Sequence, residues 1–215
     1  MGSVLVVTIA LPGRVVVFDY GEVISTSPSP GDRAELERLA GVPADEFWAA
    51  YQAHRDRYDG GEVTSREYWA AIGADCGQDW DLATVQRLWA ADLRGWTSAD
   101  PEVVAVIADL AAGGTRLAVL SNAAAEYGGP LRFSPMSASF ERVFVSGELR
   151  MLKPDPAIYR RAAEELGADP RELVFIDNRE VNVQGAESIG ITGHVFTSAA
   201  GLRSFLEALA AEAAR

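Results

Sequence analysis

From residue 98 onward, short apolar segments alternate with amphipathic ones, and this alternation constrains the fold more than any other feature of the sequence. The segments RLAVLSN, RVFVSG, ELVFIDN and HVFTS have the length and β-branched content typical of buried strands. Asp100 before Pro101, and Asp155 before Pro156, are typical of helix starts between them. Because alternating strands and helices build parallel sheets, we predict an α/β fold with a Rossmann-like parallel sheet covered by helices.

A first apolar run, VVVF at residues 15–18, indicates one more buried strand, but a different kind of sequence follows it. Residues 25–97 are rich in polar and aromatic side chains and contain no clear strand pattern. We interpret this region as an inserted helical cap, and residues 1–24 with 98–215 as the core. The chain begins with a short apolar run that lacks a basic segment and cannot span a bilayer, which favours an extra strand or a loose extension over a signal.

The helices of the insertion are predicted from capping patterns and an aromatic face. Asp32 with Glu35, and Thr64 with Glu67, have the spacing of capping pairs at helix starts. Four ring-bearing residues share one helical face: Phe47, Tyr51, His54 and Tyr58. Basic and aromatic residues on this stretch could touch a substrate, although such residues more often form a solvated helix face: His54, Arg55, Arg57 and Tyr58.

Charge and cysteine content narrow the classes of partner. The formal net charge of −12 repels phosphate backbones and anionic lipids, so we expect neither nucleic acid nor membrane as a partner. The single cysteine, Cys76, excludes an intrachain disulfide and is consistent with a cytoplasmic protein. The aromatic residues of the insertion suit its own small core or a dimer surface, which leaves monomer and homodimer open.

Polar residues follow several of the predicted strands. Ligands of open parallel sheets bind beyond the carboxyl ends of the strands, so these side chains should converge in one crevice. The candidates are Asp19, Ser121 with Asn122, Asp177 with Asn178, and Lys153 in a loop before a helix. Carboxylates can hold Mg²⁺, a hydroxyl and a lysine can bind phosphate oxygens, and one carboxylate can attack phosphorus.

The segments FDYGEV, VLSN, MLKPDPAIY and VFIDN, in this order, resemble the four motifs of the haloacid dehalogenase-like hydrolase superfamily. The resemblance covers almost the whole chain and implies a helical cap. It implies Mg²⁺-dependent hydrolysis of a small phosphate ester through an aspartyl-phosphate, and the D-x-G-x-V pattern is similar to a branch of sugar-phosphate phosphatases.

The resemblance also implies a role for each motif residue. Asp19 would be the nucleophile and a metal ligand, with the backbone carbonyl of Gly21 as a second ligand. Ser121 and the amide of Asn122 would bind the transferring group, and Lys153 would hold nucleophile and phosphate in register. The metal shell would be completed by the fourth motif, Asp177 with Asn178.

Two positions depart from the phosphatase pattern. Phosphatases of this family usually carry an aspartate at the position of Gly21, where it serves as a general acid worth ~10²–10⁴-fold in rate. Glu22 is the nearest acid, but the following residue of a tight turn need not point the same way. Many relatives carry an aspartate where Asn178 stands, and an uncharged amide oxygen should hold Mg²⁺ more weakly.

These departures leave two alternatives open. The dehalogenase branch uses its aspartate on carbon without a metal, but it resembles FDxYGT at the first motif and serine with asparagine at the fourth. Asp177 therefore favours a phosphatase over a dehalogenase. A binding or regulatory protein that has lost turnover is the other alternative, and Gly21 and Asn178 are its motivation.

Overall fold

The structure is a computed structural model that describes residues 8–213. The expectation for the start of the chain falls largely on residues 1–7, outside the described residues. In the adjoining segment, Ile9 and Leu11 are buried against the rest of the protein. The backbone N–H of Leu11 donates to the hydroxyl of Thr115 at 2.9 Å, which fastens this segment to the start of the second strand.

Five parallel strands form the sheet: β1 Val15–Phe18, β2 Arg116–Ser121, β3 Arg142–Val145, β4 Leu173–Asp177 and β5 Thr192–Val195. Their spatial order is β3-β2-β1-β4-β5. The central strands β1 and β4 are buried along their whole length, as their uninterrupted apolar sequences predict. The all-parallel sheet with helical connections confirms the predicted α/β fold class.

Helices occupy two parts of the chain. The insertion between β1 and β2 begins with five of them: α1 Pro30–Ala40, α2 Ala44–Ala53, α3 Arg55–Asp59, α4 Ser65–Asp75 and α5 Leu82–Gly95. The remaining helices flank the sheet: α6 Pro101–Ala112, α7 Gly128–Arg132, α8 Ser146–Leu149, α9 Pro156–Leu166, α10 Glu180–Glu187 and α11 Ala199–Ala213.

Local capping signals place most helix starts correctly. Thr64 accepts from the backbone of Glu67 and Glu67 reaches back to Thr64, which completes the expected capping box of α4. Asp100 and Asp155 each cap a helix whose first position is a proline. Gly167 ends α9 in the left-handed conformation that glycine adopts at no steric cost.

The predicted capping pair of Asp32 with Glu35 is wrong. Helix α1 begins at Pro30, and its capping box joins Ser29 to Asp32. Proline fixes a helical φ at the first position, and the serine before it supplies the accepting oxygen. Glu35 lies one turn further on and forms an ion pair with Arg38.

The aromatic face of the insertion is interrupted at its middle. Helix α2 ends at Ala53, and His54 lies between α2 and α3, where it pairs with Asp75 at 2.8 Å. Phe47, Tyr51 and Tyr58 are buried as the pattern predicts.

The core has two apolar layers, one on each face of the sheet. Val15 and Val17 face a layer that includes α9, while Val16 and Phe18 face the other layer. The second layer continues into the helices of the insertion, where Trp69 is fully buried. The division into core and cap stays a prediction, because this apolar layer runs through both. None of the helices within residues 8–213 is both long and apolar enough to cross a membrane.

Candidate active site

The register of the two central strands brings two carboxylates together. Phe18 of β1 pairs with Ile176 of β4, so the aspartate after each lies at the same level of the sheet. The backbone N–H of Asp19 donates to the carbonyl of Ile176 at 2.8 Å, which extends the ladder by one residue. Asp19 and Asp177 therefore lie side by side at the carboxyl edge, as predicted.

Lys153 joins these two carboxylates. Its Nζ lies 2.8 Å from Oδ1 of Asp19 and 2.7 Å from Oδ2 of Asp177. The lysine and Asp177 side chains are completely buried. Oδ1 of Asp19 also accepts from the N–H of Tyr20 at 2.7 Å, whereas its Oδ2 takes no hydrogen bond from the described residues. One oxygen of Asp19 is thus fixed and the other is available.

Asp177 is held from a second side by helix α10. It accepts from the N–H of Arg179 at 2.8 Å and from Nδ2 of Asn182 at 3.1 and 3.0 Å. Our sequence analysis missed Asn182, and its only signal is a polar residue one turn after the fourth motif. The amide oxygen Oδ1 of Asn182 is buried and has no partner among the described residues.

The charge state of Asp19 reflects its surroundings. Burial raises the pKa of its carboxyl to about 7, the charge of Lys153 acts to lower the pKa, and Asp177 acts to raise it. Burial dominates because a carboxylate loses its hydration when it leaves water. The site therefore disfavours negative charge on Asp19 unless further positive charge is nearby.

A cavity of about 280 Å³ opens over Asp19. Five of the seven residues implied by the motifs line it: Asp19, Gly21, Ser121, Asn122 and Asn178. The other two, Lys153 and Asp177, lie behind Asp19 and do not line the cavity. All seven nevertheless belong to one region, so the convergence expected from the strand ends is present.

The second and third motifs are joined by a pair of hydrogen bonds. Nδ2 of Asn122 donates to the carbonyl of Lys153 at 2.9 Å, and the N–H of Lys153 donates to Oδ1 of Asn122 at 2.9 Å. The Asn122 side chain therefore serves to fix the lysine loop. Ser121 is buried at the end of β2 and reaches the same cavity.

The side chain of Trp96 lies over Gly21. A Cβ atom at position 21 would meet Cζ3 of Trp96 at 3.8 Å, an ordinary van der Waals contact. Gly21 does not adopt a positive φ, so its backbone does not require glycine. The fold would therefore accept a side chain at this position.

The insertion contributes a buried polar network to the cavity, centred on Arg55. The guanidinium donates to both carboxylate oxygens of Asp59, at 3.1 and 2.7 Å, and to the hydroxyl of Tyr51 at 3.1 Å. Tyr51 and Tyr127 donate to the two oxygens of Asp92, each at 2.7 Å. Burial, and then Asp92, raise the pKa of Tyr51, so its hydroxyl remains a donor.

Of the basic and aromatic residues considered as substrate contacts, Arg55 lines the cavity over Asp19, but all three of its side-chain nitrogens donate within the protein. His54 pairs with Asp75 and Arg57 pairs with Glu62, both away from that cavity. Arg55 lies four residues from both Tyr51 and Asp59, but the sequence pattern could not place Asp92 and Tyr127 beside them, because these two are distant in the chain. Since Tyr127 lies beyond β2, the network also ties the insertion to the core.

The residues around Asp19 form an oxygen-rich set. Among the described residues there is no group of three or more His, Cys, Asp or Glu side chains that could hold a metal. The set contains two carboxylates, Asp19 and Asp177. It also contains the Gly21 carbonyl, the amide of Asn178 and Oδ1 of Asn182, which has no partner among the described residues. Hard cations such as Mg²⁺ accept carboxylate, carbonyl and amide oxygens, so this set fits one.

Comparison with known proteins places the chain among enzymes. A sequence model described as haloacid dehalogenase-like hydrolase matches residues 14–190. The chain is 31% identical over 94 residues to (S)-2-haloacid dehalogenase 1 of Pseudomonas sp., covering 43% of this chain and 41% of that protein. It is 22% identical over 183 residues to a sesquiterpene phosphatase of Aspergillus oryzae, covering 84% and 88%. The chain thus spans less than half the length of the dehalogenase that it matches.

A solved structure has a similar fold. It is an aspartate-to-alanine mutant of a HAD family enzyme of Bacteroides thetaiotaomicron in complex with magnesium and inorganic phosphate, with a TM-score of 0.70 and 20% identity. The superposition covers 86% of this chain and 94% of that one. At this identity the likeness shows a shared fold and nothing finer.

Proposed function

The chain belongs to the haloacid dehalogenase-like hydrolases, and on that premise we propose that it is a phosphatase of a small phosphate ester that acts through a phospho-Asp19 intermediate. One observation carries the proposal. Asp19 lies at the floor of the cavity with Oδ1 fixed by Lys153 and by the N–H of Tyr20, while Oδ2 takes no hydrogen bond from the described residues. A carboxylate held in this way is arranged to attack a bound electrophile.

The proposed reaction has two steps. In the first, an oxygen of Asp19 forms a bond to phosphorus, the bond from phosphorus to the alcohol oxygen breaks, and the leaving oxygen takes a proton from solvent. In the second, water attacks phosphorus, the bond from phosphorus to the Asp19 oxygen breaks, and the carboxylate is restored with release of inorganic phosphate and a proton to solvent. Ser121 would bind phosphate oxygens, and Lys153 would offset the repulsion between carboxylate and phosphate.

We propose Mg²⁺ as the cofactor. Asp19, the carbonyl of Gly21, Asp177 and the amide of Asn178 would hold it, with Asn182 beside them. When bound, the cation would neutralise charge on the phosphate oxygens. The positive charge would also favour the ionised form of Asp19, whose pKa burial raises to about 7.

The insertion supports a small substrate. On the side of the insertion, the cavity of about 280 Å³ is lined by Tyr51, Arg55 and Trp96, among others. The charge of Arg55 is paired with Asp59 at 2.7 Å and lies 3.8 Å from Asp92, so it leaves little positive charge for a second anionic group. We therefore propose a small monophosphate ester, with sugar phosphates as the first class to screen.

A dehalogenase is the second candidate, because a haloacid dehalogenase is among the similar proteins. In that reaction Asp19 would attack carbon, halide would leave, and water would hydrolyse the ester. The charge of Lys153 would then support the nucleophile without a metal. We rank the dehalogenase second because the fourth motif carries Asp177, where the dehalogenase branch resembles serine with asparagine.

Phosphate release from p-nitrophenyl phosphate, with and without Mg²⁺, tests the proposal. We expect metal-dependent turnover by the wild type and its loss in Asp19→Asn. Asp79→Asn, which changes an exposed aspartate outside the cavity, is the control and should match the wild type.

Metal-independent halide release from a 2-haloacid, with no phosphate release from any ester in a sugar-phosphate screen, would replace the phosphatase with the dehalogenase. Binding of phosphate esters without either reaction would instead support the non-catalytic alternative.

A further inference from the structure

Glu22 adopts a backbone conformation that a glutamate rarely adopts. Its φ is +58°, and within residues 8–213 the one other non-glycine residue with positive φ is Arg150. Arg150 ends the short helix α8, where the left-handed conformation is common. Glu22 lies instead within a turn, where the N–H groups of Ile24 and Ser25 donate to the carbonyl of Tyr20 at 2.9 and 2.8 Å, and Gly21 beside it has a negative or extended φ. Strain of this kind persists where the surrounding structure compensates for it, often at functional sites.

Besides the backbone hydrogen bonds of this turn, the carboxylate of Glu22 contributes to the compensation. Oε1 accepts from the hydroxyl of Ser27 at 2.6 Å, and Oε2 accepts from Nδ2 of Asn178 at 3.0 Å. The second bond spans 156 residues and joins the loop after β1 to the loop after β4. The strained glutamate thus links the two loops that carry Asp19 and Asp177.

This bond fixes the orientation of the Asn178 amide. If the amide were turned over, its oxygen would face the carboxylate of Glu22, and two acceptors would repel each other. With the NH₂ group on Glu22, the carbonyl oxygen of Asn178 is left for a ligand in the cavity that both residues line. The amide can therefore offer the oxygen that a hard cation accepts.

We propose that Glu22 is a positioning residue for the cation site: it orients Asn178, and it is the reason that position 178 is an asparagine. An aspartate at position 178 would place two carboxylates 3.0 Å apart with no donor between them. The inference rests on the proposed function, because it assigns Asn178 to the shell of the proposed Mg²⁺.

Magnesium titration by calorimetry tests the inference without any assay of turnover. We expect Glu22→Gly to remain folded with a urea midpoint close to that of the wild type, because relief of strain at positive φ offsets the loss of two exposed hydrogen bonds and the greater entropy of glycine in the unfolded chain. The same variant should bind Mg²⁺ about tenfold more weakly, as is typical when a partner of a metal ligand is removed. Glu22→Gln is the matched control, since its amide oxygen can still accept from Asn178, and its affinity should fall less than threefold.

A double-mutant cycle measured in urea without Mg²⁺ tests the pairing itself. Asn178→Asp should lower the urea midpoint in the wild-type background and leave it unchanged in the Glu22→Gly background. Equal effects in both backgrounds would overturn the pairing.

The two proposals fail in different ways. A wild type that binds Mg²⁺, with Glu22→Gly binding equally well, would overturn the role of Glu22 alone. A wild type that gives no Mg²⁺ binding would overturn the metal-dependent function and, with it, the positioning of a ligand by Glu22.

Discussion

On the proposed function, Gly21→Asp should supply a general acid beside Asp19. A Cβ at this position meets only Cζ3 of Trp96, at 3.8 Å, and the backbone does not need positive φ. We therefore expect a folded variant whose free energy of unfolding lies within ~1 kcal/mol of the wild type. The carboxyl would stand two residues after Asp19, where family phosphatases carry their acid.

The expected gain in rate follows from general acid catalysis. Such a group contributes ~10²–10⁴-fold, and a carboxyl without neighbours adapted to it should give the lower figure. A gain of about 10²-fold corresponds to about 2.7 kcal/mol of transition-state stabilisation, at 1.36 kcal/mol for each factor of ten.

The assay compares two leaving groups. An alkyl phosphate releases an alkoxide that needs a proton, whereas p-nitrophenolate leaves without one. We expect kcat to rise about 10²-fold for the alkyl ester and less than tenfold for the p-nitrophenyl ester. Gly21→Asn, which has the same shape but no acidic proton, is the control and should show no rise. A folded Gly21→Asp that behaves like Gly21→Asn on both esters would refute the reasoning.

Three further predictions concern stability, measured by urea unfolding. Lys153→Ala should lower the free energy of unfolding by about 3–5 kcal/mol, because it leaves two buried carboxylates without their cation; a loss below ~1 kcal/mol would contradict this. Asp92→Asn should cost about 1–3 kcal/mol, since one of two buried tyrosine hydroxyls loses its acceptor, and an unchanged midpoint would count against the network. Gly61→Ala should destabilise far more than Gly41→Ala: both glycines have positive φ, but only at Gly61 would a Cβ collide with a backbone carbonyl of the core. Equal losses of unfolding free energy in the two variants would contradict the predicted collision, because they would show that the backbone at Gly61 can move away from the carbonyl of Gly147.

Apolar patterning and capping signals predicted the strands and most of the helix starts, because these features depend on neighbouring residues. The strand of residues 15–18 was predicted because four apolar residues in succession have few alternatives to a buried strand. Once the strands are parallel, their carboxyl ends meet at one edge, so Asp19 and Asp177 converge whatever the details of the helices. The same rules failed at Asp32, where the proline before it decided the start of the helix.

The polar contacts of the insertion depended on tertiary packing. Asp92 lies on a helix that periodicity describes well, yet periodicity reports which face is buried and not which hydroxyls meet it. Its partners Tyr51 and Tyr127 come from distant segments. The pairing of Glu22 with Asn178 spans 156 residues and depends on a backbone conformation that no propensity for glutamate favours.

The two departures from the phosphatase pattern act together on the charge of the site. When Asp19 is ionised, the charged side chains that line the cavity and the Lys153–Asp177 pair behind Asp19 leave two net negative charges: Asp19, Glu22, Asp56 and Asp59 against Arg55 and Arg179. Aspartates at positions 21 and 178 would leave four. A phosphate ester brings about two more at neutral pH, to a chain whose net charge is already −12. The present residues therefore weaken the hold on a cation but ease the approach of the anion. It follows that Gly21→Asp, while raising kcat, should also raise KM and require less Mg²⁺ for half-maximal rate. A lower KM in that variant would show that charge at this position does not control substrate entry.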